Sequence, residues 1–193
     1  EMQQQDHLES CFQRLMAVND DNRLDIIDVL FRYDSIEFLN TLLIGFDYLD
    51  SHHSNLCYFK QIVIDKMLAF IVEQNTTDFN DDHRNSFFIF LGRCCISTQS
   101  SSHDSIKIID DHFNQMIDSL FAASSNKRFE ERQQILIQLF RNRPWNQRLN
   151  AENFLQKAQT SRMYKICEQI YSDRRDWINL FRLHVEDPSK HEE

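Results

Sequence analysis

The chain has only two glycines, Gly45 and Gly92, and two prolines, Pro144 and Pro188, in 193 residues. Strands joined by tight hairpins need residues that take positive φ readily, and two glycines supply few of them. Apolar residues meanwhile recur three and four positions apart along most of the chain. An all-α fold is expected. The same scarcity leaves no glycine-rich loop able to cradle a phosphate.

Leu8, Cys11, Phe12 and Leu15 share a face over residues 7–18, and Leu24, Ile27, Leu30 and Phe31 mark a short second helix. Asp34 and Glu37 have the spacing of a capping box. They open a helix carrying Leu39, Leu42, Leu43, Phe46 and Leu49. After the polar turn Ser51–Asn55, Phe59, Ile62, Val63, Met67, Phe70 and Ile71 mark the next. Asn75–Asp82 reads as a loop. The run Phe87–Leu91 is continuously apolar, which suits a buried strand or a buried helix, and its helical surroundings favour the helix. Ser97–His103 is serine-rich and reads as the most mobile connection.

A helix is expected from Ser105 to Phe121, with Asp104 as its N-cap and Ile106, Ile109, Phe113, Met116, Ile117 and Leu120 inward. Glu131–Phe140 follows, stopped at Arg143-Pro144 because proline disfavours helical geometry in the residue before it. Asn150–Ala158 is a short helix. Thr160–Tyr171 and Asp173–Val185 form a terminal pair.

About nine helices with short connections suit an α-solenoid of antiparallel hairpins, each burying one face on its neighbours. The expected organisation is one segment over 1–193. It has short helices in 1–33, central helices in 34–143 and repeat-like helices in 146–193. Asp187 suits an N-cap, Pro188 the first helical position, and Glu192 and Glu193 the positive end of a helix dipole. A further helix is therefore expected to start there, and the chain reads as part of a longer array.

The net charge of −9 is unevenly spread. Residues 1–126 carry 8 basic and 20 acidic side chains, residues 127–184 carry 12 and 6, and the last nine residues are acidic again. An acidic body argues against bulk nucleic-acid binding. The basic stretch is either a solvated surface or a face for acidic peptides or anionic lipid. Cys11, Cys57, Cys94, Cys95 and Cys167 are odd in number and form no CxxC pair, so buried free thiols are expected. No apolar run approaches the length of a membrane span, and the first residues lack the features of a signal peptide. A cytoplasmic location is expected.

Metal chemistry is poorly supported. Asp21 and Asp25 have the i, i+4 spacing of a magnesium–diphosphate helix, but Asp20-Asp21 lies in a polar turn where aspartate is a routine cap, and no second motif follows. His103-Asp104 has the form of a metal-hydrolase pair, yet His52, His53 and His103 fall in expected loops. Cys94 and Cys95, adjacent on a helix, point about 100° apart and do not chelate one ion together. No nucleophile sits beside an ordered base. The expectation is a non-enzymatic protein with no catalytic, cofactor-binding or metal-ligating residues.

Trp177 lies among Arg174, Arg175 and Arg182, a combination found at interface anchors. A tryptophan at this spacing more often packs on the preceding helix, here on Tyr164, Cys167 or Tyr171. These four residues, Arg174, Arg175, Trp177 and Arg182, are the candidate partner-binding set.

Several stretches carry a resemblance: Met163–Tyr171, Arg175-Asp176-Trp177, Glu186-Asp187-Pro188 with Glu192-Glu193, Phe38–Leu42 and Glu131–Leu136. Over about residues 35–193 the chain resembles the clathrin-heavy-chain-type repeat region of the vacuolar protein sorting-associated protein 8 family. That family supplies a subunit of the endosomal tethering complex CORVET. Trp177 stands where the family usually has a smaller aromatic, and Asn146–Asn150 fits poorly. The resemblance implies an α-solenoid spacer and docking surface within a larger protein that has an N-terminal β-propeller and a C-terminal RING-type domain. It implies as partners the core subunits shared with HOPS and an early-endosomal Rab GTPase, and peripheral association with early endosomes through the complex. It carries no catalytic residue onto this chain.

Overall fold

The computed structural model describes residues 38–44, 46, 57–69, 71, 81–97, 106–122 and 128–187. Among them the fold is all-α, with helices packed on helices and no strand, as expected of an α-solenoid segment. Eight helices have defined ends: α1 (Cys57–Leu68), α2 (Asp81–Ser97), α3 (Asp110–Phe121), α4 (Phe129–Arg141), α5 (Arg143–Asn146), α6 (Ala151–Thr160), α7 (Tyr164–Asp173) and α8 (Trp177–Glu186). The chain divides into two compact units, Glu1–His112 and Phe113–Glu193. The expected helices over residues 7–31 lie outside the described residues.

In the first unit, residues 38–44 are helical, with Leu39, Leu42 and Phe46 buried. The Phe87–Leu91 run resolves as helix: all five residues are buried in α2, together with Cys94 and Cys95, both free thiols. Phe90 meets Phe46 at 5.9 Å between ring centres. Helix α2 starts at Asp81 rather than after Asp82, with both aspartates in its first turn, where their charge suits the helix dipole.

The stretch 106–109 departs from expectation. It is not helical, and α3 starts only at Asp110. Ile106 and Ile108 are buried while Lys107 and Ile109 are exposed, the period-two pattern of extended chain. The Gln61 amide explains the switch. Its Oε1 accepts the Lys107 backbone N–H and its Nε2 donates to the Lys107 carbonyl, both at 2.8 Å. A peptide unit satisfied on both sides has no need of helical partners. Ile109, expected inward, is exposed for the same reason, and the expected cap Asp104 lies outside the described residues.

In the second unit, α3 presents Phe113, Met116, Ile117, Leu120 and Phe121, all buried. Phe113 stacks on Trp145 at 5.4 Å, and the Arg148 guanidinium lies over Phe113 at 4.4 Å. Phe154 of α6 meets Phe121 edge-on at 5.0 Å and stacks on Phe140 of α4 at 5.5 Å. Helix α4 buries Ile135, Leu136, Ile137 and Leu139, and also Arg132 and Gln133. The Arg132 guanidinium reaches the Ala122 carbonyl at 2.5 Å, and its burial lowers its pKa.

Helix α6 begins at Ala151 because Asn150 caps it, its side chain accepting the backbone N–H groups of Glu152 and Asn153 at 3.1 Å each. Asn150→Ala should cost about 1 kcal/mol of stability in chemical denaturation, whereas Asn150→Asp, which keeps the acceptor, should cost little.

The helix expected from Thr160 to Tyr171 starts only at Tyr164, and Thr160 instead ends α6. Arg162 takes φ 54, the left-handed region. The Met163 N–H returns to the Ala158 carbonyl at 2.9 Å, and the Arg162 N–H to the Gln159 carbonyl at 3.1 Å. This is a Schellman closure, which satisfies the last carbonyls of α6 and turns the chain. The next junction repeats it. Arg175 has φ 55, and the Asp176 and Arg175 N–H groups bond the Tyr171 and Ser172 carbonyls at 2.9 and 3.0 Å. The last helix therefore starts at Trp177 rather than Asp173. Links of three residues lay α7 against both α6 and α8.

Candidate partner-binding surface

The surface is built on α8 and the junction before it. Asp176 caps the helix: its Oδ1 accepts the Asn179 N–H at 3.2 Å, and its Oδ2 accepts from Asn179 Nδ2 at 2.7 Å. These hydrogen bonds, with Arg174 and Arg182 nearby, hold the Asp176 carboxyl below its ordinary range. The ionised group sits at the positive end of the α8 dipole.

This cap sets the register of α8. Leu183 is buried and Leu180 half-buried, so they mark the side facing α7. His184 Nε2 meets Glu168 Oε1 of α7 at 3.2 Å on that side. At 100° per residue, Ile178, Phe181 and Val185 lie about 140–160° around the helix from Leu183, and Trp177 about 120°. These four are exposed by 70%, 71%, 57% and 63% respectively. The helix is apolar on two sides and covered on one.

Trp177 thus does not pack on Tyr164, Cys167 or Tyr171. It is 63% exposed, whereas Cys167 and Tyr171 are buried. Burial pushes the Cys167 thiol up to about 11, so it stays protonated and unreactive at neutral pH.

Arg174, Arg175 and Arg182 are all exposed. Arg174 reaches back to α6, its Nη1 2.9 Å from Glu152 Oε1, an open ion pair worth about 0–1 kcal/mol. Arg175 holds the left-handed corner. Arg182 lies about 140° around α8 from Trp177. The structure gathers Arg174, Arg175 and Trp177 at one junction and puts Arg182 on another side of the helix.

The residues that dominate this surface, Ile178, Phe181 and Val185, were not in the candidate set. Their signal was present in the sequence: Trp177, Ile178, Leu180, Phe181, Leu183 and Val185 surround α8, too many apolar residues for one covered face.

Among the described residues, no group of three or more His, Cys, Asp or Glu side chains is placed to hold a metal. No described helix is long and apolar enough to cross a membrane. Asp20, Asp21, Asp25, His52, His53, His103 and Asp104 lie outside the described residues.

No family model matches the chain, and no solved structure matches it. It is similar to the vacuolar protein sorting-associated protein 8 homologs of Homo sapiens and Mus musculus, 26% identical to each over 168 residues, or 86% of this chain. The chain spans 11% of the length of these curated relatives. The similarity is that of a distant relationship to the vacuolar protein sorting-associated protein 8 homologs.

Proposed function

We propose that this chain is a non-enzymatic scaffold segment of a CORVET-type endosomal tethering subunit, acting in endosome fusion and endosome-to-vacuole or lysosome transport. The observation that carries the reading is the similarity to vacuolar protein sorting-associated protein 8 homologs over 86% of the chain. The helix-on-helix fold supports it, because stacked helices hold distant parts of a polypeptide apart and offer side-chain surfaces for docking. The partners in this reading are the tethering core shared with HOPS and an early-endosomal Rab GTPase, both reached through the full-length protein. Its organisation is one helical segment over 1–193, and its location is cytoplasmic, peripheral on early endosomes.

The competing reading, an adaptor using residues 127–184 to bind acidic peptides or anionic lipid, draws less support from the geometry. Arg128, Lys157, Lys165 and Arg174 are engaged with Glu131, Asp118, Glu130 and Glu152. Four of the 12 basic side chains in that stretch are therefore already paired within the protein.

The test is capture of the shared core subunits by the full-length protein, compared with the same protein lacking residues 1–193. Loss of core subunits, with endosomal recruitment reduced in cells, is the expected result. Undiminished assembly and recruitment would remove the scaffold role.

A further inference from the structure

We propose that Ile106–Ile109 is a two-state strap: the Gln61 side chain holds it extended on α1, and its release lets α3 grow by about one turn at its N-terminal end. The inference does not rest on the tethering reading.

The strap carries two hydrophobic patterns at once. At 100° per residue, Ile106, Ile109, Phe113, Met116, Ile117 and Leu120 fall within an arc of about 100°. A helix continued back through the strap therefore sets Ile106 and Ile109 in line with the buried face of α3. The extended chain instead buries Ile106 and Ile108, at 6% and 7% exposure, and leaves Ile109 exposed at 61%. Each arrangement turns two of the three isoleucines inward, so hydrophobic burial does not by itself separate them.

Polar bonding does. The Gln61 amide takes the part of a neighbouring strand, bonding both sides of the Lys107 peptide unit at 2.8 Å. Its Nε2 also donates to Asp65 Oδ1, one turn further along α1, at 2.7 Å. Both hydrogens of that NH2 group are engaged, which fixes the orientation of the amide. In a lengthened α3 the Lys107 carbonyl would instead accept the Asp111 N–H, four residues on. Asp111 is the second residue of α3, where the N–H has no partner within the helix. The Lys107 carbonyl is thus the acceptor for which Gln61 and α3 compete. Asp110 and Asp111 favour the observed start, because lengthening the helix would carry both away from the positive end of its dipole.

Site-resolved hydrogen exchange on the full-length protein tests this by comparing the wild type with Gln61→Leu, which removes both bonds to Lys107 at similar bulk. Exchange should become about tenfold faster at the Lys107 N–H and about tenfold slower at the Asp111 N–H, as protection passes from strap to helix. Faster exchange at Lys107 with Asp111 unchanged would mean that the strap merely frays. No change at either site would mean that Gln61 does not hold it. Either result overturns the proposal. Ile108→Gln reaches the same state by another route, since Ile108 is buried in the strap and would lie about 130° from the centre of the lengthened helix's apolar face. It should move the same two sites in the same directions, and it decides the matter should Gln61→Leu fail to fold.

Discussion

Phe154→Ala is expected to lower the unfolding free energy by about 3–5 kcal/mol, the largest loss foreseen for a single truncation in the second unit. Phe154 is 2% exposed. It meets Phe121 of α3 edge-on and stacks on Phe140 of α4, so one ring joins three helices. Truncation removes its transfer free energy and both ring contacts, and leaves a cavity that three separately anchored helices cannot readily close. The check is urea denaturation followed by helical circular dichroism, with the shift in midpoint read at unchanged slope. A loss below about 1 kcal/mol would contradict the packing described. Phe181→Ala provides the contrast on a residue of the same type. Phe181 is 71% exposed, and its truncation in the 193-residue chain should stay within about 0.5 kcal/mol. A large loss there would mean that another molecule already covers α8.

The all-α class and the inward face of α3 were legible because hydrophobic spacing reports directly on burial. The Phe87–Leu91 run had no helical period of its own, and only its neighbours identified it as helix. Two kinds of feature were not legible. Ile106–Ile109 continues the apolar rhythm of α3, so spacing alone merged it with that helix. What separates them is the Gln61 amide, 46 residues away in sequence. Tertiary hydrogen bonds of that kind leave no local trace. The corner at Arg162 was expected a few residues too early, between Ala158 and Thr160, because arginine is a good helix former and carries no turn signal. The candidate surface was legible in position and misjudged in composition. The arginines and Trp177 drew attention through residue type. Ile178, Phe181 and Val185 looked like ordinary core until the register set by Asp176 showed that α7 could take only one side of the helix.

Arg162→Pro is expected to cost about 3 kcal/mol or more, for reasons that lie wholly in the backbone. Proline is locked near φ −65°, whereas the corner needs φ 54. It also lacks the N–H that Arg162 gives to the Gln159 carbonyl. Both bonds of the closure are thereby lost or misplaced, and α7 no longer returns onto α6. Arg162→Gly should act in the opposite direction. A residue with a side chain pays about 1–2 kcal/mol in the left-handed region, and glycine does not. Glycine gives back part of that by enlarging the freedom of the unfolded chain. A net gain of about 0.5–1 kcal/mol remains, and Arg175→Gly should match it because its closure has the same two bonds. Denaturation midpoints of the three variants decide the matter. If Arg162→Gly destabilises, the arginine side chain contributes more at the corner than its backbone costs there. If it stabilises, the scarcity of glycine has a measurable consequence: with two glycines in the chain, neither at these corners, the turns between α6, α7 and α8 are made by arginines held in a conformation they disfavour. The packing of α7 between its neighbours is what holds them there.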